Sequence, residues 1–363
     1  MNTVLRDLIY FLYDQYQKFF GYAVANLSSF VPLFPAVLRV RITTRCNLHC
    51  GFCYLSGSLN LKEENVLQKD EWEKILSKIP FYTLVDITGA EPTLSKDFDF
   101  ILSYLLTKKR KVSLTTNGMN CSDQFVERIV KQKLTYLMVS IDDFPNEHNT
   151  VRGHQKSFSN IEELLIKVEK KKRELKSKLP IVNIKTTLLD SNMDHLEELC
   201  SFLKDRLNFN IQSVNLAFDN PARGGIVVGK SLDEILKLKN TFRYEDKNKD
   251  ALIKVKNFFV RKKGDIKIRP EIKSTEVPSY IQNPGSFGVK HCNKYDSVIT
   301  LNYDGSLSFC DINYKFSNIR DLDFDLSRAW SSRDYQVFRK KLKSQFPYAS
   351  ACEGCCLAKH TVK

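Results

Sequence analysis

Arg45-Cys46-Asn47-Leu48-His49-Cys50-Gly51-Phe52-Cys53-Tyr54 sets three thiols at spacings of three and two intervening residues, directly after the β-branched run Val37 to Thr43. Three thiols make an incomplete metal site. A 4Fe–4S cubane takes four ligands, so three thiolates leave one iron open to a small molecule. A tetrahedral zinc site needs a fourth nearby ligand, for which His49 is available, and reduced core cysteines are the plainer alternative. The context of the run decides between them.

Outward from this run, strand and helix signals alternate from Val37 to Phe218. Six apolar, β-branched runs occur at Val37–Thr43, Tyr82–Thr88, Val112–Thr116, Tyr136–Ile141, Ile181–Leu189 and Val214–Phe218. Helical patterns at Asp70–Ser77, Phe98–Leu106, Gln124–Lys131, Phe158–Leu175 and Asp194–Leu207 separate them. Such alternation predicts an α/β fold of parallel strands joined by crossover helices. Six units make a partial (β/α)6 barrel, with functional residues expected at the strand C-termini.

The cysteine run resembles the C-x3-C-x-aromatic-C motif of the radical S-adenosylmethionine enzymes, with Phe52 in the aromatic place. The resemblance implies a partial barrel and a 4Fe–4S cluster on Cys46, Cys50 and Cys53 whose open iron chelates S-adenosylmethionine. Reduced, such a cluster cleaves the cofactor to a 5′-deoxyadenosyl radical. Three further segments fit the same family. Thr88-Gly89-Ala90-Glu91-Pro92 closes the second strand and resembles its GGEP element, implying that Gly89, Ala90 and Glu91 hold the methionyl amino group. Ala90 replaces the family's second glycine, and a Cβ there is costly if the position needs φ > 0. Asn117, in the TTNG that ends the third strand, is expected near substrate or cofactor, although Asn-Gly also serves ordinary turns. Ser140 and Asp142, followed by His148 and Arg152-Gly153, resemble the family's S-x-D…H-x3-R-G segment. That implies Ser140 and Asp142 beside the ribose and Arg152 on the cofactor carboxylate, which a guanidinium fork suits. A loop salt bridge is the alternative for Arg152.

At the other end, Cys292, Gly305 and Cys310 are spaced C-x12-G-x4-C, followed by Cys352 and Cys355 as C-x2-C. Val298–Leu301 and Ser306–Phe309 flank Asp304-Gly305 as hairpin strands flank a turn. The pattern resembles the twitch domain, a shorter relative of the SPASM domain. It implies a second 4Fe–4S cluster on Cys292, Cys310, Cys352 and Cys355, with Cys356 as a substitute for Cys355. A zinc-ribbon site is the alternative by ligand count. Asp311 stands where the anaerobic sulfatase-maturating enzymes, which this layout resembles, hold an aspartate that takes a substrate proton; a carboxylate there also caps turns.

Cys121 and Cys200 fit neither set and read as small apolar residues. Ten clustered cysteines make no secreted disulfide framework, and nothing resembles a cleavable signal, so a reducing cytoplasm is expected. Residues 1–36 form an aromatic extension in which Leu5, Leu8, Ile9, Leu12, Tyr16, Phe19 and Phe20 approximate a helical stripe. Pro32 and Pro35 make a poor bilayer-spanning helix, so the segment is expected to lie on a membrane surface or on the barrel. The barrel then covers 37–230, a connecting region 231–289 and the auxiliary-cluster domain 290–363.

A net charge of +14 over 363 residues, with a pI near 9.2, marks a basic surface. Its candidate partners are anionic lipid, an acidic peptide, nucleic acid, or an acidic electron donor such as flavodoxin or ferredoxin. The lysines are spread out with no RNA-recognition motif, which does not favour nucleic acid. No Walker motif, Ser-His-Asp arrangement or glycosidase carboxylate pair is found. The resemblance implies hydrogen abstraction from a substrate carbon, leading to oxidation or crosslinking of a peptide, a sugar or a membrane-associated metabolite. The competing readings are a non-catalytic iron-sulfur electron-transfer protein and an RNA-modifying member of the same family.

Overall fold

The structure is a computed structural model that describes residues 34–217, 230–245, 249–292, 297–310, 314–346, 348–355 and 358–362, with isolated positions at Gln15, Phe19, Ala222 and Ile312. The aromatic extension lies almost wholly outside the described residues. Six parallel strands stand side by side in sequence order: β1 Val37–Arg41, β2 Leu84–Ile87, β3 Lys111–Thr116, β4 Tyr136–Ser140, β5 Ile181–Leu188 and β6 Ile211–Leu216. The helices Lys69–Ser77, Phe98–Thr107, Asp123–Lys131, Pro145–Arg152, Ser157–Glu174 and Leu196–Leu207 connect them. Right-handed crossovers between consecutive neighbours put every helix on one side of the sheet. Alternation along each strand meets that demand: Leu38, Val40, Val85, Ile87, Val112, Leu114, Leu137 and Val139 are buried in one core with Trp72, Ile101, Leu105, Ile129 and Leu165 of the helices. The intervening positions, Arg39, Asp86, Ser113, Ser140 and Lys185 among them, face the concave side.

The sheet extends beyond the expected six strands at both edges. On one side β7 Lys267–Arg269 pairs parallel with β6. The C-terminal region contributes β8 Phe287–His291, β9 Val298–Asn302, β10 Ser306–Phe309, β11 Lys315–Asn318 and β12 Lys359–Val362. The hairpin expected around Asp304-Gly305 forms, with Gly305 at φ +79°, but it does not stand apart. Instead β9 pairs parallel with β1 while β10 and β11 continue antiparallel, giving the order β11-β10-β9-β1-β2-β3-β4-β5-β6-β7. A separate ribbon pairs β8 with β12.

An ion pair fixes the C-terminal region on the barrel, and an aromatic cluster holds that region itself together. Arg320 grips Glu71 bidentately, Nε to Oε1 at 2.6 Å and Nη2 to Oε2 at 2.8 Å, on the first barrel helix. Phe309 stacks on Phe338 with ring centroids 3.9 Å apart, inside a cluster with Phe316 and Tyr335. The sixth strand starts at Ile211 rather than Val214: Gln212 and Ser213 interrupt the apolar run, and the ladder to β5 continues past them through a register shift at Ile184/Lys185. Helix Pro145–Arg152 is not among the helical patterns of the sequence. It has no apolar stripe, yet Pro145 opens it and left-handed Gly153, φ +65°, closes it. Among the described residues no helix is long and apolar enough to cross a membrane.

Candidate active site

The cysteine loop leaves the C-terminal end of β1, and its conformation is set by backbone bonds to three other segments. Asn60 Oδ1 accepts from Cys46 N at 2.9 Å, and Glu63 Oε1 accepts from Thr44 N and Thr43 Oγ1, each at 2.6 Å. The last carbonyls of helix Pro145–Arg152 accept from the loop: Arg152 O from His49 N at 3.1 Å and Val151 O from Gly51 N at 3.3 Å. These carbonyls have no intrahelical donors, so the cysteine loop caps the helix C-terminus. Gly153 lies so close that a Cβ on it would stand 2.9 Å from His49 O.

Arg152 is the charged centre of this arrangement. Its Nη2 lies 2.5 Å and its Nε 2.7 Å from Asp142 Oδ2, Nη1 is 3.7 Å from Cys50 Sγ, and the guanidinium sits over the Phe52 ring at 5.1 Å. Burial works against its charge, but Asp142 and Cys50 outweigh burial and hold it protonated. Asp142 in turn accepts from Thr187 N through Oδ1 at 2.8 Å, linking β4 to β5. His148 Nδ1 accepts from Asp142 N at 3.1 Å, and Nε2 stands 3.1 Å from Ser157 Oγ. Burial pushes the His148 pKa down to about 4, so the ring is neutral.

Glu91 is buried, and its carboxylate faces the ends of β2 and β3. Oε1 accepts from Thr93 Oγ1 and Thr116 Oγ1, each at 2.8 Å, and Oε2 from Asn117 N at 2.7 Å. Burial raises its pKa. All its partners donate, however, and that fits the ionised carboxylate. Its own N–H donates to Arg45 O at 2.9 Å, joining the GAEP turn to the cysteine loop. Asn117 Nδ2 does the same from β3, donating to Asn47 Oδ1 at 2.8 Å. Gly89 takes φ +121° while Ala90 is not among the positive-φ residues, so the Cβ of Ala90 carries no backbone penalty. Ser140 ends β4 on the concave face, paired with Lys185.

The sequence expectation set the cysteines, Glu91, Asn117, Asp142 and Arg152 beyond the C-terminal ends of successive strands, and the structure has them beyond β1, β2, β3 and β4. The expectation missed the residues that shape the loop: Asn47, Asn60, Glu63 and Thr116. Asn47 stood inside the motif itself; Asn60 and Glu63 lie in a polar stretch with no periodic signal.

The donor set fits an iron-sulfur cluster. Burial raises the Cys46 and Cys50 thiols and pushes Cys53 up to about 11, while Arg152 opposes burial at all three. Such thiols ionise when a cationic centre replaces their protons. Among the described residues no three Cys, His, Asp or Glu side chains gather tightly enough for one metal ion. A cubane asks less, since each thiolate takes a different iron.

The auxiliary cysteines occupy three places. Cys352 and Cys355 share one turn, in which Cys355 N donates to Cys352 O at 3.1 Å, and His360 Nε2 lies 3.1 Å from the same carbonyl. Cys292 follows β8, the partner of β12. Cys310, just past β10, takes φ +48° and packs on Val37 and Val298, at the opposite end of β1 from the first cysteine loop. Asp311 and Cys356 lie outside the described residues. Cys121 and Cys200 pack against the main core, as expected.

Comparison with known proteins agrees with both ends of the chain. The radical SAM superfamily model matches residues 40–203, and that of the SPASM iron-sulfur cluster-binding domain matches residues 292–356. Sporulation killing factor maturation protein SkfB of Bacillus subtilis is 26% identical over 176 residues, 48% of this chain and 40% of that protein, so the match spans well under half of SkfB. GTP 3′,8-cyclase of Aquifex aeolicus is 26% identical over 339 residues, covering 85% of this chain and 93% of the cyclase. Streptococcus suis SuiB bound to precursor peptide SuiA superposes with a TM-score of 0.59 at 18% identity, covering 89% of this chain and 72% of SuiB. Native anSMEcpe with bound AdoMet superposes at 0.58 and 19% identity, covering 88% of each chain; at such identities these two show the fold alone. With separate matches to its barrel and to its C-terminal cysteine region, the chain belongs to the radical S-adenosylmethionine superfamily, with an iron-sulfur domain of the SPASM type.

Proposed function

We propose that this protein uses S-adenosylmethionine to start a radical reaction on a substrate held in the barrel, between two iron-sulfur sites. The carrying observation is that thiols lie at both ends of β1, Cys46, Cys50 and Cys53 beyond its C-terminus and Cys310 against Val37 at its start. At about 3.3 Å per residue the strand separates them by roughly 15 Å or more, room for a substrate. When bound, the first cluster and S-adenosylmethionine supply a 5′-deoxyadenosyl radical able to take a hydrogen atom from an unactivated carbon. The protein's own part is positional and electrostatic. Cys46, Cys50 and Cys53 would hold the cluster, and Arg152 offsets thiolate charge beside Cys50. Glu91 and Asn117 fix the loop to β2 and β3, and Gly89, Ala90, Ser140 and Asp142 border the cofactor's place. Cys292, Cys310, Cys352 and either Cys355 or Cys356 would hold an auxiliary cluster, and Asp311 beside it is the proposed substrate base.

A relative named for maturation of a sporulation killing factor, a GTP cyclase and a fold neighbour solved with a precursor peptide leave peptide, sugar and nucleotide substrates in view. Cys46, Cys50, Cys53, Cys121 and Cys200, which form no disulfide, suit a reducing compartment. Anaerobically reconstituted protein should hold about eight irons per chain for two 4Fe–4S clusters, and converting Cys46, Cys50 and Cys53 to Ala should leave about four. That variant should release no 5′-deoxyadenosine under dithionite. Stoichiometric zinc with little iron would overturn the reading.

A further inference from the structure

The rim of the barrel opposite the cofactor site carries a pattern of its own. Strands β2 to β7 run parallel, so the turns that enter them share that rim, at the far end of the strands from the cysteine loop. The turns entering β3, β4 and β5 are built alike. Helices Phe98–Thr107, Asp123–Lys131 and Ser157–Glu174 each end in a Schellman turn, closed by Arg110 N to Leu105 O at 2.9 Å, Leu134 N to Ile129 O at 2.8 Å and Ser177 N to Lys172 O at 2.9 Å. A lysine takes the left-handed place in each: Lys109 at φ +53°, Lys133 at φ +60° and Lys176 at φ +48°.

Glycine adopts that conformation without strain, so a lysine there costs stability that the turn itself does not require. Offsetting the helix dipole does not account for two of the three, because the last turns of their helices already hold Lys131 and Lys171 to Arg173. All three lysines are exposed, and among the described residues none has an acidic partner. The acid in the turns entering β2 to β7 is Asp265, which shares its turn with Lys262 and Lys263. Neighbouring helices pack about 8–10 Å apart, so the cations form a row along the rim rather than a pocket. Apolar surface joins that row. Phe81, in the turn entering β2, is 72% exposed, and Leu175, beside Lys176, is 45% exposed. The uncharged, aromatic stretch 19–38 reaches the same rim, where Phe34 O accepts from Tyr82 Oη at 3.4 Å and Pro35 O from Thr83 Oγ1 at 2.8 Å.

We propose that this rim is a docking surface for an anionic lipid bilayer, held by Lys109, Lys133 and Lys176 and by the exposed ring of Phe81, with the cofactor site turned away from the membrane. At such a surface ammonium groups meet anionic headgroups while aromatic rings enter the boundary with the acyl chains. A nucleic acid would answer the cations, but it offers no apolar layer to an uncharged stretch of this length.

The test is co-sedimentation of the reconstituted full chain with vesicles of phosphatidylcholine, alone or mixed with phosphatidylserine. The parent should partition onto the anionic vesicles, not the neutral ones, and come off as salt rises. The triple variant Lys109→Gly, Lys133→Gly, Lys176→Gly removes the charges from places that glycine fits, so its urea midpoint should stay close to the parent's. Its partitioning should weaken on the order of a hundredfold. Phe81→Ser should weaken partitioning about tenfold. Lys249→Gln, at the opposite end of helix Lys249–Arg261 from the rim, should partition as the parent does. A parent that ignores anionic vesicles, or a triple variant that partitions as tightly as the parent, would overturn the inference. Single-stranded RNA is the competing probe. RNA bound by the parent and lost in the triple variant, with no vesicle binding, would overturn the lipid assignment and give the row of lysines to nucleic acid.

Discussion

Arg152 answers three neighbours at once, and that decides how the residues around it behave. Its guanidinium binds Asp142, points one nitrogen at Cys50 Sγ and lies over Phe52. With Asp142 committed to Arg152 and Thr187, the adjacent His148 has no need of charge, and burial holds it neutral with a pKa of about 4. The unfolded chain takes up that proton near 6.5. Between those two values the unfolded state binds a proton that the folded state does not, so stability is complete above pH 6.5 and declines as pH falls toward 4. The loss at pH 5 is about 2 kcal/mol. Urea unfolding of the parent and of His148→Gln, at pH 7 and pH 5, should show the parent losing about that much more than the variant. Equal losses would mean that His148 is not held neutral. The R-G motif made Arg152 visible in the sequence. Its partners were not, because residues ten and about a hundred positions away meet it only through the fold.

At the scale of elements, helix Pro145–Arg152 acts as a support for the cysteine loop. Its polar sequence, PNEHNTVR, offers no apolar periodicity, so only its end signals were readable. By contrast, the six barrel strands and the long crossover helices were legible because burial on the helix-covered face imposes a pattern on the chain. β7 was not legible, since three residues carry too little pattern to separate a strand from a loop. The helix holds the loop through Val151 O, Arg152 O and the close approach at Gly153. In Gly153→Ala the new Cβ would meet a backbone atom, His49 O, and the residue would have to keep φ +65°. Left-handed strain alone costs about 1 kcal/mol, and the contact must also push the loop outward. The reconstituted variant should therefore lose iron from the first site, falling toward about four irons per chain with the auxiliary site filled. A variant that retains full iron and parental 5′-deoxyadenosine release would show that the loop does not depend on this approach.

Across the whole molecule, β1 is the shared strand: the barrel grows from one edge of it and the C-terminal hairpin from the other, so the first cysteine loop and Cys310 are built on one sheet. The hairpin was readable from its turn residues, but its docking on β1 was not, because strand partners distant in sequence leave no local mark. The basic balance of the chain acts at this same scale. A formal charge of +14 makes encounter with an acidic one-electron donor faster than diffusion of neutral partners would allow, and that advantage is screened as salt shortens the Debye length from roughly 30 Å at 0.01 M to about 8 Å at 0.15 M. With flavodoxin as reductant, the rate of 5′-deoxyadenosine formation at limiting donor should fall by about tenfold or more across that range. With dithionite, a small reductant whose encounter with a cluster depends on local charge, the same salt series should produce a much shallower fall. Equal slopes for the two reductants would mean that the basic surface does not recruit an acidic protein donor.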